Sequence, residues 1–360
     1  MKKILILIIP LLLAMSLYAV DFDISGENRT RAALFNSITE DDGAFIDNRF
    51  NLYLDSQLHR DLCLHAGVQV GDVTWGKGNA GFDTSLEVAI KELYLDYAIR
   101  SWDLNIQFGQ LYWRDRMGLI IDDYFSGIML EKTFGENLNT EFAMMKGREG
   151  AEDANDDVNY FMIHALMDGD MPWGTYLFFY NDALTDDYAL TLMPYFGLEL
   201  ENLSVDTNFW ADYQEYNDDK IGIGAAVKAK LDLTDFVLGA DVLVAAKNGL
   251  SVISPWYDNG LYIYGIGEHH DGLNLYWNNP YTLNSDFFAS MVGEIKVPFK
   301  YDMQFFGHAG YLIDTGMEVN AGLEYELIPD LFNMALYGAF GLNDDETKNY
   351  AFGTTLKLEF

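Results

Sequence analysis

The residues with most chemistry to offer lie in Phe108-Gly109-Gln110-Leu111-Tyr112-Trp113-Arg114-Asp115-Arg116-Met117-Gly118-Leu119-Ile120-Ile121-Asp122-Asp123-Tyr124-Phe125-Ser126-Gly127-Ile128. Arg114 and Arg116 flank Asp115, and Asp122-Asp123 follow a short apolar run. Such a set makes and breaks no covalent bonds; its chemistry is electrostatic. The charges either pair and pin the segment, or face water and act on whatever passes. Leu119-Ile120-Ile121 is too apolar to stay in solvent, so the segment is expected to fold inward against its own scaffold. Covalent catalysis has less support. His59, His65, His164, His269, His270 and His308 stand near no nucleophile motif such as Gly-x-Ser-x-Gly, which argues against a hydrolase. His65 and His308 read as polar lining, His269-His270 is weak as a metal pair, and neither metal nor cofactor is implied.

A second set of candidates sits between positions 248 and 285, where Trp256, Tyr257, Tyr262, Tyr264, Tyr276, Trp277 and Tyr281 surround His269-His270-Asp271. Aromatic faces stack on sugar rings and apolar solutes, which makes Tyr112, Trp113, Trp256 and Tyr257 candidate stacking residues. Interfacial anchoring and packing of the loop over a mouth are the competing uses of the same rings.

The elements that must hold these residues alternate with a period of two. Phe50, Leu52 and Leu54 alternate with Asn51, Tyr53 and Asp55, and the same pattern returns in Leu104 to Phe108, Leu203 to Ala211, Ile221 to Leu231, Phe287 to Val297 and Tyr350 to Phe360. Few segments show a helical stripe, so the chain is all-β. Segments of about nine to thirteen residues exceed the usual soluble strand and suit a tilted strand crossing hydrocarbon. The count is about eighteen, with sixteen as the alternative. Connections alternate between tight turns, such as His59-Arg60-Asp61 and Ile328-Pro329-Asp330, and mostly long loops, such as 110 to 126 and 248 to 285. Charged residues then fall on the inward half of each repeat: Arg29, Arg31, Arg49, Asp55, Asp96, Asp206, Lys228, Lys230, Asp241 and Glu324 are among the expected lumen-lining side chains. A lumen so charged must be hydrated. Side chains alone fill about eight strands and not sixteen or eighteen, which favours an aqueous channel over a solid interior.

Residues 1 to 19 carry Lys2 and Lys3 ahead of an apolar run and end on Ala19, the form of a cleaved secretory signal peptide; residues 20 to 360 are then one barrel domain. The 22 basic and 56 acidic residues leave a net charge of −34, which argues against a nucleic-acid partner. Acidic clusters at Glu40-Asp41-Asp42, Glu152 to Asp157, Asp186-Asp187, Asp218-Asp219 and Asp344-Asp345-Glu346 fall in the long loops. A solvated acidic face is the default reading, with divalent bridging to lipopolysaccharide as the alternative. None has the spacing of an EF-hand. Cys63 is the sole cysteine, so no disulfide framework exists.

The last strand ends on Phe360, and the chain thereby resembles Gram-negative outer-membrane β-barrels, whose final strand typically closes on Phe and is read by the barrel-assembly machinery. Within 108 to 128, Gly-Gln, then Gly-Leu-Ile-Ile-Asp-Asp, then Ser-Gly-Ile is similar to what alginate-export-like and related porins carry after strand five, the loop that narrows the channel. The resemblance implies Arg114, Asp115, Arg116, Asp122 and Asp123 as constriction residues. It also implies an outer-membrane site among lipid and lipopolysaccharide, small hydrophilic solutes as cargo, and the homotrimer common among general porins. The export family has a strongly basic lumen for a polyanion, whereas this chain is acidic, which sets alginate aside. The expected function is therefore a non-enzymatic porin for passive diffusion that prefers cations. A saccharide-selective channel and a non-conducting structural or adhesin barrel are the alternatives.

Overall fold

Strands with one apolar and one polar face bury neither against the other, and a closed sheet lets each face its own medium without unpaired edges. The computed structural model describes residues 21–36, 43–75, 88–148, 157–183, 185–215, 220–267, 269, 281–282, 287–299 and 303–360. The expected signal peptide, the acidic clusters at 40–42, 152–156 and 218–219, and His270, Tyr276 and Trp277 lie outside the described residues.

The strands are β1 (Asp21–Phe35), β2 (Gly43–His59), β3 (Leu62–Thr74), β4 (Val88–Ile99), β5 (Leu104–Arg114), β6 (Asp122–Phe134), β7 (Leu138–Arg148), β8 (Val158–Met167), β9 (Trp173–Asp182), β10 (Asp187–Glu199), β11 (Leu203–Gln214), β12 (Lys220–Leu233), β13 (Phe236–Ala245), β14 (Phe288–Phe299), β15 (Met303–Leu312), β16 (Gly316–Ile328), β17 (Phe332–Asn343) and β18 (Lys348–Glu359). Each pairs antiparallel with its neighbours in sequence, and β1 pairs with β18 from Glu27↔Glu359 to Phe35↔Ala351, closing an 18-stranded barrel. Phe360 completes the seam: its N–H donates to the Gly26 carbonyl at 3.0 Å, and the Gly26 N–H donates back at 2.8 Å.

The outward half of each repeat is exposed and apolar, including Ile24, Leu34, Leu52, Phe108, Ile163, Leu192, Phe209, Ile223, Met291 and Phe340. A continuous belt of this kind suits lipid and no aqueous monomer. No described helix is long and apolar enough to cross a membrane; the exposed apolar belt lies on the strands. The buried apolar cluster lies inside the barrel. Leu119, Ile120 and Ile121 from the β5–β6 connection meet Leu250, Leu261, Tyr262, Ile263 and Tyr264 from the segment after β13, against wall residues such as Met162, Met193 and Leu243. Burying each aliphatic side chain contributes about 1.5–3 kcal/mol. The two inward segments are thus held by the force that the apolar run Leu119 to Ile121 foretold.

Candidate channel constriction

The candidate constriction is built by two strands leaving the wall. Pairing of β4 with β5 stops at Leu93↔Gln110, and pairing of β6 with β7 stops at Ser126↔Lys146. Pairing between β5 and β6 continues to Arg114↔Asp122. Gly109, at φ +136°, sits where β5 departs, and a Cβ there would lie 2.2 Å from the Leu93 carbonyl oxygen. Residues 111 to 125 are therefore a hairpin free of both wall neighbours, where the sequence suggested an irregular loop from 110 to 126.

One face of this hairpin packs across the lumen. Trp113 meets Tyr176 edge-on at 5.8 Å and donates its indole N–H to Glu141 at 3.2 Å, and Arg116 donates its Nε to Asp206 on β11 at 2.6 Å. The other face looks back toward β2 and β4, where Tyr124 meets Tyr53 with hydroxyls 3.5 Å apart and Lys91 sits 5.2 Å over the Tyr124 ring. Tyr112 donates to Asp122 at 2.5 Å, and Arg114 pairs with the other oxygen of Asp122 at 3.1 Å.

Asp115 holds the tip. Its carboxylate accepts N–H bonds from Met117 (3.1 Å), Leu119 (3.1 Å), Ile120 (2.7 Å) and Ile121 (3.0 Å) and is fully buried. Burial pushes this carboxyl above the ordinary aspartate range, and the N–H donors oppose that push. Gly118, at φ +68°, lets the turn close against Trp256, whose N–H donates to the Gly118 carbonyl at 2.8 Å.

The segment after β13 is fastened to the same tip and to the wall. Ile121 and Ser254 form a parallel bridge, and the Ser254 hydroxyl donates to Asp123 at 2.7 Å. Wall carboxylates hold the rest: Asp212 accepts from the Ser251 N–H at 2.7 Å, and Asp241 accepts from the Tyr257 hydroxyl at 2.8 Å. Glu318 accepts the N–H groups of Tyr262 (2.8 Å), Ile263 (2.9 Å) and Tyr264 (2.9 Å). Burial, then the charge of Asp241, drives the Tyr257 phenol far above its usual range; burial does the same to Tyr281, whose hydroxyl donates to the Leu119 carbonyl at 3.2 Å.

These contacts sort the constriction residues. Arg114 and Asp122 stand on the free face, whereas Asp115 is enclosed in the turn, Arg116 is tied to Asp206 and Asp123 to Ser254. The stacking residues sort likewise. Tyr112 is 45% exposed, but Trp113 and Tyr257 are buried with their faces covered by protein, and Trp256 is half-buried against the hairpin tip. Expecting Trp113 and Tyr257 to meet a solute is corrected by this packing, as is expecting Asp115 to face the passage.

The lining residues lie on the inward half of their strands. Arg31 makes a bidentate pair with Asp47 at 2.9 and 2.6 Å, Asp55 pairs with His65 at 2.5 Å, and Asp96 accepts from Asn105 at 3.1 Å and Gln107 at 3.0 Å. Lys228 approaches Asp241 at 3.6 Å, Lys230 approaches Asp232 at 3.6 Å, and Glu324 meets His269 at 2.7 Å. Cross-strand register places Arg29 beside both Arg49 and Lys357, a row of like charges offset at Lys357 by Glu27 at 3.3 Å and Glu359 at 2.6 Å. Beside that row lies a cavity of about 700 Å³ lined by Glu27, Arg29, His269, Glu324 and Lys357. A second cavity, about 340 Å³, is lined by Asp206, Lys228, Lys230, Asp241 and Glu294. Sequence reasoning included Glu318 only among many lumen residues and missed its part as an anchor; the three consecutive N–H groups it collects carry no sequence signature.

A barrel with a polar interior, an apolar belt and a hairpin folded in after the fifth strand has the architecture of Gram-negative outer-membrane porins. No protein-family model and no curated protein matches the chain. Among solved structures it is similar to Pseudomonas aeruginosa OccK8 (OprE), with TM-score 0.66 and 10% identity over 94% of this chain and 98% of that one. It is similar also to the P. aeruginosa outer membrane proteins OpdK (TM-score 0.64, 12% identity, 94% and 99% covered) and OprD (TM-score 0.63, 11% identity, 94% and 93% covered). The chain has an outer-membrane porin fold, and these similarities establish it at the level of fold.

Proposed function

We propose that the protein is an outer-membrane porin, a water-filled channel for passive diffusion of small hydrophilic solutes with a preference for cations, and that it catalyses no reaction. The observation that carries this reading is the inward hairpin: it narrows a charged lumen and presents Arg114, held by Asp122, to the remaining space. An acidic excess of 56 over 22 charged residues concentrates cations at the mouths by its summed field. The reading includes a surrounding of lipid and lipopolysaccharide, insertion through recognition of Phe360 by the assembly machinery, and trimeric association.

A second reading rests on the row Arg49, Arg29, Lys357, which would draw anionic groups along β1 if its charge outweighs both the summed field and the Glu27 and Glu359 carboxylates paired with Lys357. Planar-bilayer recording under a salt gradient decides between them. Current with a reversal potential of cationic sign supports the first reading, anionic sign supports the second, and absence of current removes both.

A further inference from the structure

We propose that the free face of the hairpin and the facing β2–β4 wall form a subsite for neutral, hydroxyl-rich sugar rings. The inference deepens the channel reading and rests on it for how the solute arrives. Tyr53, Tyr112 and Tyr124 converge there: the Tyr112 and Tyr124 ring centroids lie 5.4 Å apart, inclined at 57°, and the Tyr53 and Tyr124 hydroxyls are 3.5 Å apart. A pyranose offers apolar C–H faces for such rings and hydroxyls around its rim, so it needs both platforms and edge partners.

The edge partners are present. Glu92 on β4 is half-buried and makes no hydrogen bond or ion pair among the described residues, which leaves its carboxylate able to accept from a hydroxyl. Arg114, 43% exposed, offers donors beside it, while the two oxygens of its partner Asp122 are taken up by Arg114 and the Tyr112 hydroxyl. Charge then selects among ligands that stack. Asp122 already offsets Arg114, so it is Glu92, joined by Asp55, that disfavours a carboxylate-bearing ring. A free organic cation would compete with the tethered ammonium of Lys91 for the Tyr124 face, where it already lies at 5.2 Å. A neutral polyhydroxyl carries no charge for these carboxylates to repel and can stack on the exposed Tyr112 ring with Lys91 left in place over Tyr124.

The test is isothermal titration of the full-length barrel in detergent micelles with maltotriose, cellotriose and chitotriose, and with choline and glucuronate as charged comparisons. Saturable binding of at least one trisaccharide, tighter than either charged solute, is expected. Tyr112→Ala and Tyr124→Ala should each weaken it about tenfold, and Glu92→Gln about threefold. No trisaccharide binding by the folded protein, tighter binding of choline or glucuronate, or equal affinity in the alanine variants overturns the subsite. Should an alanine variant fail to fold, Tyr112→Phe must keep the affinity and Glu92→Gln lower it; the reverse pattern overturns the subsite too. Bilayer current on the same preparation separates the two claims. Current without sugar binding removes the subsite alone, and sugar binding without current removes the channel alone.

Discussion

At the scale of single residues, Asp115 shows how one carboxylate can shape a passage it never touches. Its neighbours Met117, Leu119, Ile120 and Ile121 would lose their N–H acceptor in Asp115→Ala, and each buried donor left unpaired costs about 1–3 kcal/mol. The tip, not the barrel, bears that cost. Amide exchange at residues 117 to 121 should quicken by at least tenfold in Asp115→Ala while strand amides keep their protection; unchanged exchange would deny Asp115 its anchoring part. In the sequence Asp115 is one charge among five, and nothing in residue type separates it from Asp122. The distinction arises from long-range packing: Leu119 to Ile121 bury, their N–H groups must find acceptors, and Asp115 is the carboxylate within reach. Tyr112 and Tyr124 are legible as aromatics in one charged segment, whereas the approach of Tyr53 is not, because 71 residues of chain separate it from Tyr124.

At the scale of elements, the segment after β13 is fastened by wall carboxylates more than by its own sequence. Glu318→Ala removes the acceptor for Tyr262, Ile263 and Tyr264. Chymotrypsin should then cut near Tyr262 or Tyr264 in a barrel that resists it in the unaltered protein, with far-ultraviolet circular dichroism unchanged. Resistance equal to the unaltered protein would show that the apolar contacts suffice. A second expectation concerns the tight turn at Asp61, where hydrogen bonding to Arg100, then Arg60, holds the carboxyl below the usual aspartate range. The sign follows from linkage: a depressed value stabilises the folded state above the unfolded pKa of about 3.9, and that contribution fades as pH falls through the folded value. Melting temperatures of the protein and of Asp61→Asn should therefore differ at neutral pH and converge below that range; a difference independent of pH would contradict the pairing.

The element boundaries were well marked where hydrophobic period and turn residues coincide, as at His59-Arg60-Asp61 between β2 and β3. They were poorly marked at 110 to 126. There β5 and β6 keep pairing to Arg114↔Asp122 after both have left the wall, so the period-two signal no longer reports a lipid face. The aromatics of 248 to 285 were visible as a group, yet the sequence could not say that Tyr257, Tyr262 and Tyr264 are buried within the lumen.

At the scale of the whole molecule, closure through β1 and β18 follows from eighteen alternating strands whose edges would otherwise stay unpaired in lipid. Lumen charge is less uniform than the net −34 suggests: the row Arg49, Arg29, Lys357 stands in a chain with many more acids than bases. Summed charge is screened over about 10 Å at 0.1 M salt, so cation preference should weaken as salt rises. Selectivity that does not change with ionic strength would instead point to the local row.

The most direct measurement is the single-channel conductance of the unaltered barrel beside a variant in which a Gly-Ser turn replaces residues 116 to 120. Discrete conductance steps in the unaltered protein, and larger ones once the tip is gone, are the expected result. No steps in either protein, or steps of equal size in both, would contradict a channel narrowed by its inward hairpin.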